Sequence, residues 1–194
     1  MTDRVAALAG FPHRLRMASW FSFVGTTLTD AERDDVEEYT RALGLGSLEL
    51  AELEDWRAVE ACIKQSDWDA AWWQAEEDRR KTLLELAEAK VGDMALTRAL
   101  TGLSEKVSDV VHGAAAVAAS RGGIADQGLT RSAAGAATMS AYQAALEKAA
   151  KDPASEPTND NANDKHGNAF AAKFRLFEAG HWPLCVRAGT FYIF

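Results

Sequence analysis

Cysteine is nearly absent. Two thiols, Cys62 and Cys185, in 194 residues are no disulfide framework, which excludes the small stapled folds of secreted proteins and makes a reducing cytoplasm the simplest setting. Proline is almost as scarce, with four in the chain. Because proline breaks helices and alanine favours them, few prolines beside plentiful alanine point to helix. Long apolar runs are missing as well. Nothing approaches the ~18 consecutive apolar residues of a membrane-spanning helix, and GAAAVAA around Ala116 is far too short. The N-terminal stretch carries an early Asp3 and is broken by Gly10 and Pro12, so it lacks the apolar core of a signal peptide. No membrane association is expected.

An excess of positive charge is the fourth absence. The net charge is −8, and it has an address: residues 30–60 hold eleven acids and three bases, so the rest of the chain balances to zero. Asp34, Asp35, Glu37 and Glu38 are the densest part of that segment. Such a surface repels nucleic acid and attracts a basic protein.

What is present reads as a mainly α, multi-helix antiparallel bundle in a single domain over 1–194. The stretch 93–120 is its expected central helix. Leu96, Leu100, Leu103, Val107, Val110, Ala114 and Val117 alternate in steps of four and three, a heptad-like seam on one helix face. Pro12 opens a helix expected to continue through Trp20 and Phe23. Thr29 and Glu32 make a capping box for a helix ending near Gly44. Ser47 is the expected cap of a further helix through LELAELEDWRAVEACIKQ, with a break allowed near Glu54 or Asp55. Ser66 to Asp69 open the next one, which ends near Lys90. Its middle, 76–81, is polar all round apart from Arg79, which falls on the seam. The glycine-punctuated loop RGGIADQG leads to an alanine-rich helix from Thr130 that should pack on 93–120. Pro153 stops it. Residues 152–167 hold no aromatic and no branched aliphatic residue, which predicts a flexible internal loop.

Phe170, Phe174 and Phe177, ahead of Gly180, fit a short helix, with a strand over KFRLFEA as the competitor. The period then changes. Pro183 to Arg187 and Thr190 to Phe194 alternate as strands around Ala188-Gly189, the spacing of a two-residue hairpin. The C-terminal hairpin, 182–194, is expected to dock on the bundle, against Phe170, Phe174 or Phe177, because an isolated hairpin is marginal in water.

No motif assigns an activity. Asp109 and His112 stand three apart on one helix face, but a di-iron bundle needs two Glu-x-x-His elements and two further glutamates, and one pair fills no coordination shell. Asp160 to Gly167 has the composition of a calcium loop without its ligand spacing. RGGIADQG is neither a Walker nor a dinucleotide fingerprint, and no Gly-x-Ser-x-Gly occurs. No metal or cofactor is therefore expected, and the two cysteines, both in apolar stretches, read as inert.

The tryptophans are more telling. Trp56, Trp68, Trp72 and Trp73 crowd beside the acidic segment. Trp72 and Trp73 are adjacent, hence about 100° apart on a helix, so one of them should reach a groove or interface, where Trp is enriched. The sequence thus favours a cytoplasmic, non-enzymatic protein-binding module of the immunity or inhibitor type for a basic partner, with Asp34, Asp35, Glu37, Glu38, Trp72 and Trp73 as its contact residues. The alternative is a small-molecule-binding or metal-dependent helical-bundle enzyme, with a pocket near the C-terminal hairpin built from Asp109, His112, His181 and Trp182. Either reading is compatible with a homo-oligomer.

Overall fold

The computed structural model describes residues 11–65, 67–151 and 167–194. Along them run α1 (Phe11–Met17), α2 (Asp30–Ala42), β1 (Glu49–Glu52), α3 (Trp56–Lys64), α4 (Ala70–Val91), α5 (Asp93–Arg121), α6 (Gln127–Ala150), α7 (Ala169–Ala179), β2 (Pro183–Arg187) and β3 (Thr190–Ile193). The fold is mainly α with a C-terminal hairpin. The expected loop over 152–167 lies, except for Gly167, outside the described residues.

The centre is α6, not α5. α6 buries thirteen residues against eight for the longer α5, and α4, α5 and α7 all pack on it. Alanines at 133, 134, 137, 141, 144 and 145 keep it slim on every side, so three helices can approach at once. The seam of α5 also departs from expectation. It runs true through Leu96, Leu100, Leu103 and Val107, then continues on Val111, Ala115 and Ala118, leaving Val110 and Val117 exposed. A straight helix has 3.6 residues per turn and drifts away from a strict heptad over several turns.

Local chemistry sets the helix boundaries. The capping box forms, with the Thr29 side chain accepting from the Glu32 N–H and Glu32 returning the bond to the Thr29 N–H. Asp55 caps α3 by accepting from the N–H groups of Arg57 and Ala58. Asp69 does the same for α4, and Asp126 for α6, which therefore starts three residues before Thr130. The first helix stops at Met17, short of expectation. Trp20 Nε1 takes the Leu15 carbonyl at 2.8 Å and the Ser19 N–H crosses to the Glu178 carbonyl, so the ladder has no donor to continue it. Phe21 then adopts a positive φ of 55°, which aims its ring at Phe177 and Trp182. Residues 169–179 are helix, closed by Gly180 at φ 107° with its N–H on the carbonyls of Leu176 and Phe177.

The clearest correction concerns 49–52. Glu-Leu-Ala-Glu is made of good helix formers, yet it is a strand, parallel to β3 with Leu50 opposite Phe191 and Glu52 opposite Ile193. The Asp55 cap forbids a helix upstream of Trp56, and the open edge of β3 supplies ladder partners. The sheet order is β1-β3-β2. β2 and β3 form the expected hairpin, and Ala188 and Gly189 both take positive φ, 48° and 78°, the requirement of a type I′ turn. The C-terminal strand is thus central in its sheet.

Its two faces part, and only Phe194 settles where expected, in the core of Phe170, Phe174 and Phe177. Phe191 and Ile193 join a cluster with Val36, Tyr39, Trp72 and Leu176. Phe170, Phe174 and Phe177 belong to the larger core with Trp56, Trp182 and Phe194. Removing residues 190–194 breaks two ladders at once and should give aggregated protein. Phe191→Ala, which empties a site beside the Tyr39 ring, should cost about 3–5 kcal/mol and lower the thermal midpoint by roughly 6–20 °C. An unchanged midpoint in calorimetry would make the hairpin an appendage.

A tryptophan-walled hollow over a buried ion pair

The stripe that α4 turns inward is Trp72, Glu76, Arg79, Leu83 and Ala87, with Arg79 nearly buried. Two of these are charged, and both are matched from other helices. Arg79 pairs with Glu147 of α6, its Nε 3.1 Å from Glu147 Oε1, and its guanidinium also donates to the Gly167 carbonyl and lies over the Phe170 ring. The second oxygen of Glu147 accepts from the Ala171 N–H at 2.9 Å. Asn168, at the cap position of α7, turns its Oδ1 to the Lys151 ammonium and gives the helix no side-chain cap, so a carboxylate from α6 does that work where the helix dipole favours it.

Glu76 is the other buried acid. Tyr39 Oη donates to its Oε1 at 2.7 Å and Lys173 Nζ donates to the same atom at 2.6 Å. Trp72 Nε1 in turn donates to Tyr39 Oη at 2.6 Å. Burial first, and then the neighbouring Glu76 carboxylate, push the Tyr39 phenol well above its ordinary value, so it stays a donor. Lys173 Nζ sits 5.6 Å from the Tyr39 ring centre and 6.0 Å from that of Trp72.

Above this floor opens a hollow of about 530 Å³. Trp68, Trp72 and Trp73 form one wall, Met139, Tyr142 and Gln143 of α6 another, and Pro183 and Leu184 of the hairpin close one end. Trp72 is buried at 4% exposure while Trp73 is 53% exposed. Neighbouring rings lie edge to face, 6.4 Å and 6.3 Å apart. Glu77 and Arg80 pair with each other at the rim. Gln143 is 4% exposed, and its Oε1 has no hydrogen-bond partner. A second, shallower hollow of about 370 Å³ adjoins, lined by Ser104, Ser108 and His112 of α5 and sharing Met139 and Tyr142.

The other candidate residues are scattered. Of the four candidate acids in α2, Asp34 and Glu37 face solvent. Asp35 and Glu38 are held by Arg175 of α7, at 2.7 Å and 2.6 Å. His112 is exposed and turns Nδ1 onto the Ser108 carbonyl at 2.8 Å, not onto Asp109, which is exposed too. His181 and Trp182 are buried elsewhere, His181 Nε2 lying 3.4 Å from Glu32. The hollow touches the hairpin at Pro183 and Leu184, but none of Asp109, His112, His181 and Trp182 lines it. Among the described residues no three His, Cys, Asp or Glu side chains cluster as metal ligands. Cys62 and Cys185 face each other with sulfurs 3.8 Å apart. Burial and then the neighbouring Cys62 push the Cys185 thiol up to about 12, far from a nucleophilic thiolate.

Sequence reading passed over Glu76, Gln143 and Lys173. Glu76 had a signal, one turn after Trp72 on the same face. Lys173 and Gln143 had none, since only the packing of α6 and α7 brings them there.

Two expectations follow. Glu147→Leu strands the Arg79 charge and the Ala171 N–H together and should cost about 3–5 kcal/mol in denaturant unfolding, whereas adding Arg79→Met should recover most of that loss. Stability should also fall in acid in two stages. Burial holds His181 below its ordinary 6.5, a shift that Glu32 and Glu52 only partly offset. The unfolded chain then binds a proton that the folded chain refuses, so stability is full above 6.5 and declines as pH drops below it. Burial raises Glu32, but its bonds with Thr29 and the nearby His181 outweigh that and leave it below 4.5. Its contribution is present above 4.5 and is lost as pH falls through the depressed value. Urea midpoints measured against pH should show both stages, and His181→Gln should flatten the upper one. No protein-family model, no curated protein and no solved structure matches the chain.

Proposed function

We propose that the protein is a non-enzymatic binding module that recognises a basic protein through the tryptophan-walled hollow. The observation that carries this reading is the exposure of Trp68, Trp73 and Met139 around one concavity. Large apolar side chains left in water around a pocket with a polar floor are the make-up of a binding hot spot. The acids of residues 30–60 supply the attraction for a basic partner, and they join the hollow through α2, whose Tyr39 is bonded to both Trp72 and Glu76. Scarce cysteine suits a cytoplasmic setting. No helix among the described residues is long and apolar enough to cross a membrane.

The test begins with a photo-reactive phenylalanine analogue at position 73, and at exposed Met94 as control. The cross-linked protein is identified and then purified. Trp73→Ala should weaken its binding at least about tenfold, with a stability change within about 0.5 kcal/mol. Reversing Asp34 and Glu37, the two acids not held by Arg175, should slow association at low salt. Equal cross-linking at 73 and 94, or a purified partner indifferent to Trp73→Ala, would overturn the reading.

A further inference from the structure

We infer that the hollow is built to take an arginine side chain of the partner; this rests on the binding site proposed above. Two acceptors that line the hollow have no donor among the described residues. Gln143 Oε1 is buried in the wall without a partner. Both donors that reach Glu76 land on Oε1, leaving Oε2 with no donor among the described residues. Gln143 Oε1 is a buried acceptor without a partner, which is costly, and Glu76 Oε2 is a carboxylate oxygen with its lone pairs to spare, so a ligand that only donates suits both. Arginine has five N–H donors in a planar fork and no acceptor, and it stacks on aromatic faces. The walls suit that plane. Trp68 and Trp73 are both partly exposed, and the wall already draws a cation, since Lys173 Nζ lies over Trp72.

Lys173 and Arg80 do not forbid a third cation. Lys173 is matched by Glu76 and Arg80 by the two oxygens of Glu77, so the hollow is neutral before the ligand arrives. The chain beyond it carries −8. A lysine would bring the charge without the plane or the fork, and a neutral planar amide would bring the plane without the charge.

The experiment uses three peptides in which glycine alternates with arginine, with lysine or with citrulline, the uncharged planar counterpart of arginine. Each is titrated into the full chain at constant salt, with binding read by calorimetry and by tryptophan fluorescence. The arginine peptide should bind about tenfold more tightly than either counterpart. Trp73→Ala and Gln143→Leu should each weaken it about fivefold or more without lowering the thermal midpoint. Equal binding of the lysine peptide would reduce the effect to net charge and overturn the inference. So would equal binding of the citrulline peptide, an affinity indifferent to Trp73→Ala, or no binding of the arginine peptide at millimolar concentration. If the arginine preference is absent while the purified partner still depends on Trp73, the inference fails and the binding site stands. If neither depends on Trp73, both fail.

Discussion

Two carboxylates inside a helical protein need partners wherever they lie, and here those partners position α7. Glu147 of α6 holds Arg79 of α4 and the Ala171 N–H of α7, while Glu76 of α4 holds Lys173 of α7 and Tyr39 of α2. A slip of α7 by one turn, about 5.4 Å, would part Ala171 from Glu147 and Lys173 from Glu76 together. The first break would leave a buried N–H without its acceptor and the second a buried carboxylate without its cation, each more costly than the net gain of making the tie. The pairs therefore act less as a source of stability than as a fixed register for α7, and for β2, which follows it after three residues.

The same register shapes the hollow. With Glu76 bonded to Tyr39, the indole N–H of Trp72 has a buried partner and its ring turns inward. Trp73, about 100° further round the helix, is then left outside. α6 contributes by being slim. Its alanines draw three helices close, so their crowded contacts leave one flank, with Gly135, Met139 and Tyr142, uncovered. The hollow is the gap between α4, α6 and the hairpin that this packing leaves unfilled.

How much of this the sequence shows depends on whether the deciding contact is local. The Thr29–Glu32 box, the stop at Gly180 and the turn at Ala188-Gly189 act within a few residues, and each was legible. So was the split between Trp72 and Trp73, because adjacent residues on a helix cannot share a face. The β1 strand was not legible, because its residues prefer helix and only the distant edge of β3 overrides them. The late seam of α5 was misread by assuming a strict heptad where a straight helix drifts. The centre was assigned to α5 for its clear stripe, whereas α6, alanine-rich and packed by three helices, buries too much of its circumference to show one. Gln143 and Lys173 became site residues only through packing across distant segments, where a lone sequence has no periodicity to offer.

The acidic segment shows why counting charges in a sequence overstates a surface. Of the four adjacent acids in α2, Asp35 and Glu38 are bound by Arg175, which lies well over a hundred residues away in the chain, and Glu52 is bound by Arg33. On the proposed reading, a basic partner farther off than the Debye length of about 8 Å would feel only the screened sum of −8, whatever the internal pairing. Within that length it would meet the exposed Asp34 and Glu37, and then a hollow whose own charges cancel. In that reading attraction at a distance and selection at contact would fall to different residues. The first is screened by salt, and the second, set by ring faces and buried acceptors shielded from solvent, is screened far less.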